Sequence, residues 1–288
     1  MARFSKLVKP RDQRLIRLEV LRTQRLSPHW MRLTLGGGEI AHFEPLGFDQ
    51  WFRLFLPLGG DDGLERLPEK ANKIFGYMKY LRIPDGVRPV MRNYSVRAYR
   101  GATDASGPEI DVDFVLHGEG EHAGPASRWV AVAQPGESVV IIDEGLGFNP
   151  AIGVDRVLLV ADETGLPAVS SIAESLPAHA TGLAIIEVPT ADDALPFAAP
   201  AGLEVRFIAR DDEHAVPGAR ALAELESRIG GLELDGGHSF IVGEQALPTS
   251  ARRLLVAAGA DKERISFVGY WRTGTASPTP KSQRAAAH

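Results

Sequence analysis

Residues 92–97 read "RNYSVR", placing an arginine, a tyrosine and a serine within four positions. On a β-strand, Arg92, Tyr94 and Val96 share one face and Asn93, Ser95 and Arg97 the other. Those types suit a phosphorylated, planar ligand: a forked cation for phosphate, an amphipathic ring for a flat surface and a hydroxyl for its polar edge. A second stretch, "VLHGEGEHAGPASRW" at 115–129, runs from strand to glycine-rich loop to helix start. The backbone N–H groups of Gly124, Ala126 and Ser127, at a positive helix end, make a place for a pyrophosphate. Pro125 stiffens that turn without donating, and His117 at the strand end can pack on a flat ring or hydrogen-bond it. Trp129 reads as core. Taken one at a time, the motifs fit surface arginines, a half-buried tyrosine and a histidine at a turn better than they fit a ligand site.

Two later stretches carry further candidates. "ADETGLPAV" at 161–169 lies between a strand and a helix, where a nucleotide-binding fold sets its phosphate loop. It is not G-x-G-x-x-G, because Asp162 and Glu163 stand where glycines would admit a pyrophosphate, and two carboxylates repel a phosphate set directly on them. Read by itself the stretch is a helix N-cap with Thr164 and Gly165. A 2′-phosphate would want an arginine nearby, for which Arg210 is a candidate. "GYWRTG" at 269–274 closes the last strand, where the Trp271 ring can stack on a flat cofactor. Arg272 beside it, and Arg53 in "FDQWFRLFLP", are cations that would serve an anionic substrate if the two halves of the chain meet as expected.

The elements that must position these residues differ between the halves. Up to about residue 150, short alternating runs predict strands at 14–22, 29–35, 51–57, 109–117 and 137–143, the pattern of an antiparallel barrel or sandwich. A helix is expected over 124–136, with proline in its first turn and Pro-Gly at its end. The stretch 59–86 has mixed polarity and reads as a long excursion between strands. After 155 the rhythm becomes β–α–β. Nearly continuous apolar runs at 156–162, 182–189, 203–210, 238–244 and 264–271 predict parallel strands buried on both faces, with helices at 165–177, 218–230 and 247–259. The boundary falls near 147–155, which gives domains at 1–150 and 151–274, and the polar tail 275–288 is expected to be disordered.

Composition narrows the chemistry. A chain of 288 residues that is 44% hydrophobic and 24% charged is that of an ordinary globular protein. Its formal charge of −5 lacks the basic excess that nucleic acid demands. There is no cysteine, which removes disulfides, thiolate metal sites and cysteine nucleophiles and suits a reducing cytoplasm. No apolar run approaches a membrane span, and the first residues lack a signal-peptide core.

Taken in order, "RNYSVR", "DFVLHGEGEHAGPASRW", "ADETGLPAV" and "VGYWRTG" resemble the siderophore-interacting protein family of flavin-dependent ferric-siderophore reductases, within the ferredoxin-reductase-like superfamily. The resemblance covers about residues 14–274. It implies an N-terminal antiparallel β-barrel that binds FAD and a C-terminal parallel-sheet α/β domain of the NAD(P)H-binding kind. It carries FAD contacts to Arg92, Tyr94, Ser95, His117, Gly124, Pro125, Ala126 and Ser127. A nicotinamide site falls on Asp162, Glu163, Thr164 and Pro167, with Trp271 covering the flavin. Ser95 and Trp271 are the residues placed at the redox-active ring, and Arg53 and Arg272 the ones offered to the ferric siderophore. Family members commonly carry lysine at the place of Arg53 and histidine at that of Trp51. The implied reaction passes electrons from NADH, NADPH or ferredoxin through FAD to Fe3+, and needs no protein metal site. A cytoplasmic monomer is expected, with no nucleic-acid or membrane partner. Two other readings stay open: a general NAD(P)H:flavin electron-transfer reductase serving a protein partner, and a non-catalytic flavin- or siderophore-binding module.

Overall fold

A computed structural model describes residues 7–57, 62–68, 75–118, 123–150 and 153–274. The loop 119–122 and the tail 275–288 lie outside them. The described chain divides into two compact units, one formed by Lys9–Leu46 and Gln50–Gly145, the other chiefly by 146–274 with 7–8 and Gly47–Asp49.

The first unit is built by alternation. Strand β1 (Leu15–Ser27) buries Ile16, Leu18 and Val20 and exposes Arg17 and Glu19 between them. It pairs with β2 (Trp30–Gly36), reached by a tight turn, and β3 (Trp51–Leu56) follows. Helices α1 (Asp62–Glu65) and α2 (Phe75–Leu81) precede β4 (Val90–Ser95), β5 (Ala98–Arg100) and β6 (Glu109–Val115). Helix α3 (Pro125–Val130) leads to β7 (Ser138–Gly145). The antiparallel order is β4-β3-β7-β1-β2-β6-β5. β4 and β5 stand at opposite ends of that order, yet only Val96 and Arg97 separate them in sequence. Val96 N–H donates to Gln50 O and Arg97 N–H to Asp111 O, so this link touches both edges. Two residues can bridge the edges only because the sheet curls into a barrel. Its interior holds Leu33, Phe52, Leu54, Val112, Phe114 and Ile141 among others.

The excursion between β3 and β4 covers the barrel's outside. Leu64, Leu67, Tyr80 and Ile83 pack on Leu15, Phe55, Val140 and Ile142, which explains why "SVVIID" is apolar on both faces. The helix expected over 124–136 is six residues long. Trp129 and Val130 reach the core, and then Glu137 ends the turn by accepting from Trp129 Nε1 (3.1 Å) and Gln134 N–H (2.8 Å).

The second unit is a parallel sheet of β8 (Arg156–Ala161), β9 (Thr181–Val188), β10 (Gly202–Ala209), β11 (His238–Glu244) and β12 (Ile265–Trp271), ordered β10-β9-β8-β11-β12. Helix α4 (Leu166–Ser175) links β8 to β9, α5 (Ala219–Arg228) precedes β11, and α6 (Ala246–Ala257) links β11 to β12. Leu225, Leu247 and Leu255 join Val160, Ile185 and Ile241 in one core layer. β8, β9 and β11 are buried on both faces as their apolar runs predict. The edge strands differ: β10 is half open, and β12 exposes Phe267, Val268 and Tyr270, so burial on both faces does not extend to the outer strands. Among the described residues no helix is long and apolar enough to cross a membrane.

Candidate functional site

In the barrel unit β4 presents its two faces through its register with β3. Leu54 stands opposite Arg92, Phe52 opposite Tyr94, Arg53 opposite Asn93 and Trp51 opposite Ser95. Directly opposed residues share a face. Arg92 and Tyr94 therefore point to the side of Phe52 and Leu54, while Ser95 lies on the other side with Trp51 and Arg53. The structure brings the cation and the ring together and sets the hydroxyl apart from them.

Tyr94 packs its ring 4.2 Å from that of Phe114, and burial pushes its hydroxyl pKa up. Arg92 is half-buried, and one of its N–H groups donates to Met91 O at 2.8 Å. Its pKa is held below the usual guanidinium value by burial. Arg22, Arg32, Arg53, Arg97 and Arg100 of the same unit each have a carboxylate within 4.0 Å. Arg92 has none among the described residues. A desolvated cation left in this state favours an anion supplied from outside.

The second motif lies at the end of β6. Ser127 Oγ donates to Val115 O (3.3 Å) and accepts from His117 N–H (3.4 Å), tying the helix start to the strand end. His117 is exposed. Gly124 is the N-cap, Pro125 the first helical residue, and Ala126 and Ser127 follow in the first turn, whose N–H groups have no partner within a helix. Gly124 has an ordinary extended backbone (φ −61°), and a Cβ placed there would meet none of the described residues within 4 Å. The described residues thus impose no glycine at 124. Arg92 and this turn fit a flavin pyrophosphate. Arg53 is less free than its sequence position implies, since Glu144 takes its Nε at 3.0 Å and Lys9 Nζ at 2.7 Å.

In the α/β unit the acidic turn after β8 faces inward. Asp162, Glu163 and Pro167 are buried and Thr164 is partly so. Asp162 Oδ1 accepts from Thr164 N–H (2.8 Å) and Thr164 Oγ1 (2.5 Å), and Oδ2 from Glu244 N–H (2.6 Å) and Trp271 Nε1 (3.1 Å). Burial, and after it the Glu163 charge, raises the pKa of Asp162. Gly165 lets α4 approach the sheet, because a Cβ there would come within 2.5 Å of Val242 and 2.7 Å of Ala161. That is the close-packing service of the last glycine in a dinucleotide fingerprint, without the phosphate-binding part.

Arg210 corrects an expectation. It is buried, with Glu163 at 2.9 and 3.0 Å and Glu187 at 2.9 Å, so its guanidinium ties the ends of β8, β9 and β10 together and does not await a 2′-phosphate. The sequence reading missed Glu187 and Glu244, whose only signal was an acid at the end of an apolar strand. Trp271 is half-buried at the end of β12, and Arg272 is exposed with no ion pair among the described residues. Arg53 and Arg272 belong to different units.

Comparison with known proteins follows the same division. Residues 19–146 match the family model for a siderophore-interacting FAD-binding domain, and 154–274 match the model for a siderophore-interacting protein. An uncharacterized protein of Mycobacterium tuberculosis is 34% identical over 264 residues, 89% of each chain. The ferric vibriobactin reductase of Vibrio cholerae is 28% identical over 260 residues, again 89% of each. The crystal structure of a siderophore utilization protein from T. fusca superposes with a TM-score of 0.72 at 28% identity, covering 95% of this chain and 98% of that one.

Proposed function

We propose that this chain, which belongs to the siderophore-interacting protein family, reduces ferric siderophores with FAD as its resident cofactor. The observation that carries the reading is Arg92, half-buried on the barrel and without a carboxylate partner among the described residues. A pyrophosphate supplies the missing counter-charge, and Tyr94 beside it offers the ring face against which a planar group can pack. Gly124, Ala126 and Ser127 give backbone N–H groups for the same phosphates, with Pro125 fixing their turn. His117 joins them from the end of β6, whereas Ser95, on the opposite face of β4, is offered to the ring edge apart from the phosphate donors. FAD is assigned to 1–150 and the donor, NAD(P)H or ferredoxin, to 151–274.

Bound FAD would supply what the side chains lack, taking an electron pair from the donor and releasing it in single steps to ferric iron. Siderophore oxygen donors hold Fe3+ far more tightly than Fe2+, so reduction frees the iron without cleaving the ligand. Arg272, and Arg53 to the extent that Glu144 leaves it free, are the cations offered to an anionic chelate. The reaction belongs in the cytoplasm, where released Fe2+ stays reduced.

The test needs no assumption about the donor. The purified protein is expected to be yellow, and heating should release FAD in preference to FMN. After anaerobic reduction by dithionite, a ferric siderophore should restore the oxidised flavin spectrum, with Fe2+ appearing. A colourless protein that takes up no FAD defeats the reading. Flavin that ferric chelates leave reduced points to a binding module.

A further inference from the structure

A parallel sheet flanked by helices offers anions few places: the helix N-termini at its carboxyl edge, and above all the crevice where the strand order reverses. In the α/β unit that reversal lies between β8 and β11, because β9 and β10 extend the sheet one way and β12 the other. Each of these places already holds one of the chain's own buried carboxylates. Glu187 accepts from the N–H groups of Gly218, Arg220 and Ala221 at the start of α5 (2.9, 2.8 and 3.1 Å). Glu244 accepts from Ala246 N–H at the start of α6 (2.6 Å) and from Thr273 N–H (3.1 Å). Asp162 fills the reversal itself.

Asp162 is saturated there. Four donors from three neighbouring strand ends converge on its two oxygens, the Trp271 indole among them. Room for this carboxylate is built into β11. Gly243 has φ +134°, and a Cβ on it would lie 2.6–2.9 Å from the Asp162 carboxylate atoms. Glu163 and Glu187 hold the buried guanidinium of Arg210, whereas Asp162 and Glu244 are held by N–H and O–H donors.

We propose that Asp162 is a specificity-determining residue, whose carboxylate occupies the position where a doubly wound domain seats a dinucleotide pyrophosphate and holds Trp271 across it. The flavin-reductase reading identifies the ligand concerned, and the proposal rests on it to that extent. A diphosphate brought to this turn meets the buried carboxyl groups of Asp162 and Glu163 and finds its donors already engaged. This chain therefore draws no affinity from the diphosphate of NADH or NADPH at the β8 turn. A donor has to be recognised through its nicotinamide and ribose, or through a protein surface.

ADP-ribose carries the diphosphate without the nicotinamide, so its titration into the FAD-loaded protein by calorimetry isolates the question. The wild type is expected to show no saturable binding below about 1 mM. Asp162→Ser keeps an N-cap oxygen for Thr164 and removes the charge. That variant is expected to bind ADP-ribose at least about tenfold more tightly than wild type. Binding then perturbs indole fluorescence, a signal assigned to Trp271 by its absence when Trp271→Phe is added. Micromolar binding by the wild type overturns the proposal, and so does a folded Asp162→Ser that gains nothing. If that variant does not fold, the wild-type titration decides alone. Reoxidation of dithionite-reduced flavin by a ferric chelate involves no nucleotide, so a failure of the reductase reading appears there and not in this titration.

Discussion

Arg92 shows how far one side chain can be interpreted. Its neighbours Arg22, Arg32 and Arg100 all spend their charge on carboxylates of β6. Arg92 instead keeps a desolvated guanidinium bonded to a main-chain oxygen. Holding a cation that way costs stability in the absence of a ligand, so its removal separates binding from folding. Arg92→Ala is expected to weaken FAD by about 1.5–3 kcal/mol, the scale of a hydrogen bond to a charged group. That is roughly 10- to 150-fold in Kd, read from FAD fluorescence on reconstitution. The urea midpoint of the apoprotein should stay or rise. An unchanged FAD affinity would remove Arg92 from the site. The sequence showed this residue's type and spacing, but its lack of a carboxylate partner depended on where every acid of the barrel lay.

Strand β6 makes the same point at the level of an element. "EIDVDFV" reads as a strand with an apolar and an acidic face, and the acidic face would be expected in water. Instead Glu109, Asp111 and Asp113 are all buried. Arginines from β1, β2 and β5 cover them: Arg22 on Glu109, Arg32 on Asp113 through 2.6 and 2.8 Å contacts, and Arg100 on both Glu109 and Asp111. Burial still outweighs Arg32 at Asp113, whose pKa stays above the ordinary carboxylate value. Removing one partner from such a pair leaves a stranded charge. Arg32→Ala should therefore destabilise the barrel unit by about 3–5 kcal/mol in urea unfolding, whereas replacing Arg32 and Asp113 together by valine should recover most of that loss. A double variant as unstable as the single one would show that packing of the arginine stem, not the charge, is what matters.

For the whole molecule, a net charge of −5 repels an anionic ferric chelate at long range, so any attraction has to come from local cations. The Debye length falls from about 10 Å at 0.1 M salt to about 3 Å at 1 M. Across that range kcat/KM for an anionic ferric siderophore should decline while that for a neutral one holds. Arg272→Ala should raise KM for the anionic substrate by about two- to fivefold, as for an exposed ion pair, with flavin content unchanged. Arg53→Ala should do less, because Glu144 already compensates it. Equal salt dependence for both chelates would return these arginines to ordinary surface charge. The sequence by itself determined the two sheets, because period-two alternation and continuous apolar runs are imposed residue by residue through side-chain direction and burial. It also determined where the helices α4, α5 and α6 lie and which motifs carry chemistry. It did not reveal that the barrel closes through Val96 and Arg97, or that the excursion after β3 covers its outside. Nor could it pair Arg210 with Glu163, 47 positions away, or join Asp162 to Glu244 and Trp271 across 82 and 109 positions. Partners that distant are chosen by strand order and packing, which no local pattern encodes, and here they turned a turn that reads as a phosphate loop into one closed by the chain's own carboxylate.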